Sequence, residues 1–174
     1  IYQAALQRVP EYGWSELAIA EAVQTLGYPP ILHGIVPDGP VGLIQYFLTQ
    51  SRLEMNRQLA ADPQAMATPT TSARDRIRTA CRIRLQLTEP YAHRWKEAAA
   101  ILALPSNIPI ATQHLYELSD DIWYYAGDRS ADMSWYTKRT SLAGVYTATE
   151  MYMTEDTSPQ FAATYEFLDR RLAD

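Results

Sequence analysis

The chain has 174 residues, 47% of them hydrophobic, with a single cysteine, Cys81; that length suits one domain with a sizeable core, and a lone cysteine excludes an internal disulfide framework and a cysteine-based zinc site. No apolar run approaches the ~18 residues that mark a membrane span. With 15 Lys+Arg against 20 Asp+Glu and a net charge of -5, a surface that attracts nucleic acid over its whole extent is excluded as well.

Helical periodicity dominates. Ile1 to Val9 reads as a short helix stopped by Pro10 and Gly13. Ser15 is placed to cap a second helix, whose apolar side is Leu17, Ile19, Ala20, Val23 and Leu26 and whose end is Gly27. Pro29 to Pro40 is so rich in proline that it can form at most a short, irregular turn of helix. A longer helix follows from about Gly39 to Ala61, then a linker-like, fraying segment from Asp62 to Thr71. Ser72 can cap the next helix, which places Ile77, Ala80, Cys81, Arg84 and Leu87 on one side and Arg74, Asp75, Arg78 and Arg82 on the other. Pro90 starts a helix through Trp95 and Ile101 to Leu104, and Pro105 and Pro109 bracket a break. Leu115, Leu118, Ile122 and Tyr125 form a stripe ended by Gly127. Ser134 can cap a long helix through Leu142, Val145, Thr149 and Tyr152, and Ser158-Pro159 starts a terminal one with Phe161, Tyr165 and Leu168 on one stripe. The fold class is therefore all-α, about nine helices and no sheet.

Charge is segmented. Residues 1–51 set Arg8 against Glu11, Glu16, Glu21 and Asp38; residues 52–96 hold nine basic and four acidic residues, and residues 97–174 five basic and twelve acidic. Most of these charges read as solvated helix faces, and both ends should repel polyanions. The stretch IAEAVQTLGY (residues 19–28) and the short element after it resemble the helix-turn-helix of TetR-type repressors. Yet no Lys or Arg lies between Gly27 and Ser51, so the residues that would contact phosphates are missing. A ligand-sensing transcription regulator of the TetR class is the alternative reading, and it needs the basic recognition helix that this sequence lacks.

Catalytic signatures are absent. Glu89 and His93 are four apart, and His114 and Glu117 are in the reverse order of the Glu-x-x-His motif that a carboxylate-bridged di-iron bundle requires twice. Each histidine reads as an ordinary surface or core residue rather than a metal ligand, and Cys81 as a small core residue. A cofactor-free enzyme would have to draw its site from His93, His114 and Asp121.

Aromatic density is the positive signal: Tyr116, Trp123, Tyr124, Tyr125, Trp135, Tyr136, Tyr146 and Tyr152 fall within residues 116–152. Adjacent aromatics on one helix cannot all face one core, so some face a cavity, a partner or solvent; a tyrosine-rich core with hydroxyls reaching the surface is the plainer alternative. Stripe spacing in consecutive helices predicts a largely apolar cavity within residues 72–153, walled by Trp95, Leu102, Leu104, Leu115, Leu118, Ile122 and Tyr146. Trp135 and Tyr136, with Asp132, are expected to form an exposed docking patch.

Several stretches carry a family resemblance. DDIWYYAGDRSADMSWYTKR (120–139), LALPSNIP (102–109), SPQFAATYEFLDRRL (158–172), the opening IAEAVQTLGY and the Pro-Asp-Gly-Pro near residue 38 resemble the ubiquinone-biosynthesis accessory family Coq-nine, over nearly the whole chain. The resemblance implies a TetR-like multi-helix bundle: a degenerate helix-turn-helix over residues 1–47, then a lipid-binding and dimerisation bundle over 48–174. It implies a homodimer that holds isoprenoid quinone precursors and phospholipid, is no enzyme, and carries no cofactor and binds no nucleic acid. Its partners would be the di-iron demethoxyubiquinone hydroxylase, to which it presents the quinone precursor, and other coenzyme Q complex members. The implied partner patch is Asp120, Ile122, Asp132, Trp135 and Tyr136. The implied place is the matrix face of the mitochondrial inner membrane, or the cytoplasmic membrane face in a bacterium, as a peripheral protein. Because the chain opens at Ile1 rather than Met, it reads as a fragment or a processed form whose transit peptide is removed. The resemblance also implies a further C-terminal amphipathic helix that touches the membrane, expected beyond Asp174.

Overall fold

The structure, a computed structural model, describes residues 1–61, 72–128 and 133–174. The expected linker at 62–71 and Asp132 lie outside the described residues. Among the described residues the protein has nine α-helices and no strand: α1 (Tyr2–Leu6), α2 (Val9–Tyr12), α3 (Glu16–Thr25), α4 (Gly39–Ala61), α5 (Ala73–Thr88), α6 (Trp95–Leu102), α7 (Ile108–Tyr125), α8 (Met133–Glu155) and α9 (Ala162–Ala173). Short 3-10 turns at Pro30–Ile35, Glu89–Arg94, Pro105–Asn107 and Pro159–Phe161 join several of them.

Local chemistry sets most of these boundaries. The Ser15 hydroxyl accepts from the Ala18 amide (3.3 Å) and that of Ser72 from the Asp75 amide (3.1 Å), each satisfying an orphan donor at a helix start. At the ends of α3 and α7, Gly27 and Gly127 adopt φ of +80° and +92°. There the Tyr28 amide donates to Val23 O (3.1 Å) and the Asp128 amide to Trp123 O (3.0 Å), the wrapped carbonyls of a Schellman end. The start of α9 depends on Asp156, whose carboxylate accepts from the amides of Ser158 (2.7 Å) and Thr164 (2.9 Å) and from the Thr164 hydroxyl (2.6 Å). Those bonds hold a reversal in which Gln160 and Phe161 both have positive φ.

Four expectations differ in detail. The first helix is two, because Pro10 sits in the opening turn of α2, where its missing N–H costs nothing. Pro109 likewise falls in the first turn of α7 rather than ending a break. Ser134 lies inside α8 rather than capping it. On α3 the buried face is Ala18, Ile19, Ala22 and Val23, while Leu17 and Leu26 are about half exposed; small alanines bring α3 close to its neighbours.

Two cores share the long helices. In the first, Ala5, Val9, Trp14, Ile19, Val23, Leu43, Ile44 and Phe47 pack with Trp95 and Ala98 of α6. Its centre is aromatic: Trp14 meets Phe47, Tyr91 and Trp95 at ring-centroid distances of 5.4, 5.7 and 5.6 Å. The second core joins Met55 and Leu59 of α4 to α5, α7, α8 and α9 through residues such as Leu85, Leu118, Ile122, Tyr146 and Leu168. Because α4 contributes to both, it sets their relative position. The element after α3 is a 3-10 turn whose Ile31 and Ile35 are exposed; His33 is its only basic side chain, and its Nδ1 lies 2.6 Å from Pro30 O. Tyr2 closes this end by donating to Pro37 O, next to Gly42, where a Cβ would collide with the Tyr2 hydroxyl.

Candidate functional site

A cavity of about 250 Å³ lies where the two cores meet. Its walls come from five helices: Leu48 and Arg52 of α4, Arg84 of α5, Trp95, Ala99 and Leu102 of α6, His114, Leu115 and Leu118 of α7, and Tyr146, Thr147, Glu150 and Met151 of α8. Ala103, Ile108 and Ala111 complete it. The small residues Ala99, Ala103 and Ala111 matter as much as the large ones, because longer side chains there would fill the void. Of the seven residues expected from stripe spacing, the structure brings Trp95, Leu102, Leu115, Leu118 and Tyr146 to this wall. Leu104 is not among them: it follows the end of α6, in extended backbone, and is 51% exposed. Ile122 is fully buried one turn beyond Leu118, inside the second core rather than at the cavity.

The polar lining was not anticipated. Arg84 is 1% exposed; its Nη1 donates to Thr88 Oγ1 (2.8 Å), and the guanidinium carbon lies 5.1 Å from the Phe47 ring centre. Burial pushes the Glu150 carboxyl up to about 7, partly offset by the positive charge of Arg84, because desolvation penalises the ionised form. Burial likewise raises the Tyr146 phenol well above its ordinary value. It also lowers the His114 imidazole, which the Glu117 carboxylate opposes and Arg52 reinforces. Arg52 is held by Asp121 (3.2 Å) and Glu117 (3.4 Å). The sequence did hold one signal: Arg84 falls on the apolar side of its helix, and a charge in a core stripe asks for a reason.

The second group lies at the α7–α8 surface. Arg139, 4% exposed, joins Asp120 (2.9 Å), Asp128 (3.0 Å) and the Trp135 carbonyl (3.1 Å). Its guanidinium carbon also lies 4.3 Å from the centre of the Trp135 ring, which in turn meets Tyr116 at 5.7 Å. Trp135 is thereby half-buried and fixed, while Tyr136 beside it is 61% exposed. Arg139 thus joins Asp120 to Trp135, and Tyr136 follows Trp135 on α8 with its side chain exposed. Ile122, expected at this docking surface, packs in the core beneath it, because its position on the α7 stripe aligns it with Leu118 and Leu115.

The residues considered for an enzyme are not assembled into one site. His114 lines the cavity, Asp121 is engaged by Arg52 and Asn56, and His93 lies outside the cavity with its ring 5.8 Å from that of Phe161. Among the described residues no group of three or more His, Cys, Asp and Glu side chains could hold a metal ion, and no helix is long and apolar enough to cross a membrane. Cys81, raised to about 12 by burial, is a core thiol.

A family model described as COQ9 matches residues 108–174. Across 177 aligned residues and 100% of its length, the chain is 40% identical to the "Ubiquinone biosynthesis protein COQ9-A, mitochondrial" of Xenopus laevis, covering 56% of that protein. It is 38% identical over 177 residues to the COQ9 protein of Homo sapiens, again all of this chain and 56% of that one. With the Drosophila melanogaster COQ9 protein it shares 38% identity over 172 residues, 99% of this chain and 53% of the relative. The chain therefore spans just over half the length of the curated relatives it matches.

Proposed function

The chain belongs to the COQ9 family, and from that premise we propose that it is a lipid-binding accessory protein of ubiquinone biosynthesis, acting in mitochondria. The single observation that carries the reading is the largely apolar cavity where the two cores meet. A protein with no use for a void would close it, since each unfilled volume costs packing energy; a void bounded by Trp95, Leu102, Leu115 and Leu118 suits a hydrocarbon body. The role is presentation rather than catalysis: the protein holds an isoprenoid quinone precursor for the demethoxyubiquinone hydroxylase, which docks at Trp135, Tyr136 and Asp120. Homodimer formation and peripheral contact with the inner membrane on its matrix side complete this reading. The relatives named as biosynthesis proteins and the 3-10 turn without Lys or Arg weigh against a transcription regulator.

Mass spectrometry of lipids that copurify with the chain tests it. Isoprenoid or acyl lipid at close to one molecule per chain is expected, falling sharply in Ala99→Trp and Ala111→Trp, which place an indole in the void. Lipid absent from the wild type, or retained unchanged in both variants, overturns the cavity as the binding site.

A further inference from the structure

Besides Arg52, His114 and Thr147, the cavity lining holds three further polar groups, and these lie together. Tyr146 and Glu150 are one turn apart on α8 and share a face. Arg84 approaches from α5, its guanidinium carbon 6.0 Å from the centre of the Tyr146 ring. All three line the cavity and are at least nine-tenths buried. The Glu150 Oε2 and the Tyr146 hydroxyl make no hydrogen bond; Thr88 lies beside the phenol, near enough to influence it but without the geometry of a bond. Buried polar atoms are almost always paired, and leaving one unpaired is costly. Two such atoms on one face of one void, next to a guanidinium, mark the place of an oxygen supplied by something else.

We propose that Arg84, Tyr146 and Glu150 form a head-group subsite that takes the carbonyl or hydroxyl oxygen of a neutral, ring-headed amphiphile, whose hydrocarbon body then lies along Trp95, Leu102 and Leu115. The proposal rests on the lipid-binding reading above and adds which end of the lipid is recognised and by what. Tyr146 and Arg84 both donate, which suits the lone pairs of a carbonyl. Glu150 sits near the midpoint of its titration at neutral pH, so it donates to a carbonyl when protonated and accepts from a hydroxyl when ionised. A quinone and its reduced, hydroxylated form can therefore both be held. An anionic head fits less well, since it would face a carboxyl that must then stay protonated in a weakly polar enclosure. The Tyr146 ring supplies a flat surface on which a ring can lie.

Calorimetric titration of the whole chain, cleared of lipid, with three probes tests this. The probes are a decyl-substituted benzoquinone, decylbenzene of the same body without oxygens, and dodecanoate. The quinone is expected to bind about tenfold tighter than decylbenzene, the worth of one or two well-placed hydrogen bonds. Tyr146→Phe and Glu150→Met, neither of which leaves a donor at its position, should each remove most of that advantage while leaving decylbenzene binding unchanged. Arg84→Met is the more drastic variant, and Tyr146→Phe, which changes only one oxygen, keeps the test valid if Arg84→Met does not fold. Equal affinity for quinone and decylbenzene, or variants that weaken both alike, overturns the subsite while leaving the lipid-binding reading standing. Dodecanoate as the tightest probe overturns the neutral-head assignment. No binding of any probe overturns both readings.

Discussion

Glu150 should make the protein less stable as pH rises through the mildly acidic range, and one substitution should abolish that dependence. In the unfolded chain its carboxyl ionises near the ordinary 4.5, whereas burial holds the folded carboxyl protonated up to about 7. Between those values the folded state binds the extra proton, so folding is progressively penalised as pH rises, and above about 7 the full penalty remains. At about 1.4 kcal/mol per pH unit the interval amounts to ~3 kcal/mol. Arg84 from α5 acts directly on the carboxyl, and Arg52 from α4, His114 from α7 and Tyr146 on its own helix line the same cavity; α6 contributes the indole of Trp95, which does not titrate. Only His114 changes charge in the same range, and with the opposite sign: its lowered pKa makes stability rise with pH up to the ordinary histidine value of 6.5. Glu150→Gln keeps the shape and cannot ionise, so the difference between the two proteins isolates Glu150. Urea unfolding followed by far-ultraviolet circular dichroism from about pH 5 to about pH 8 reads it. The variant should gain ~3 kcal/mol relative to wild type across that range. Parallel curves, separated by a constant amount, would refute the assignment of the buried proton to Glu150.

Ile122→Ala and Tyr136→Ala should separate core from surface. The first should cost ~2–4 kcal/mol in unfolding free energy as a buried truncation, while the second should stay within ~0.5 kcal/mol yet abolish capture of the hydroxylase in a pull-down. Arg139→Ala breaks a buried pair with Asp128 and the stacking on Trp135, and should cost ~3–5 kcal/mol by thermal or chemical denaturation. Duplex DNA titrated at low salt should show no sequence-dependent affinity and no steep salt dependence, because the element after α3 offers no Lys or Arg to phosphate.

Much of the architecture was legible because helix signals are local. The caps at Ser15 and Ser72 and the glycine ends at 27 and 127 follow from residues within one turn of the boundary. For the same reason stripe spacing put five of its seven expected residues at the cavity wall. It failed at Leu104, which has no helical phase once the chain leaves α6, and at Ile122, where one further turn along the same stripe moves a residue from cavity to core. The polar region of the cavity was hidden for a different reason. Arg84 and Glu150 lie 66 positions apart in the sequence, and their meeting depends on how α7, α9 and the 89–94 turn, which both helices contact, set α5 and α8 relative to each other. No local pattern encodes that arrangement.

The position of Arg84 bears on how the molecule comes apart. Its guanidinium lies over Phe47, in the first core, and faces Tyr146, in the second, so a single side chain is clasped from both sides. The cavity is walled by the same two bodies of packing, with Leu48 and Trp95 on one bank and Leu115, Leu118 and Tyr146 on the other. Anything seated between them acts as a mortar joint: it gains contacts from both cores only while both are intact. An occupied cavity therefore makes the loss of either core more costly to the other, and the empty protein is the one in which the two can melt out of step.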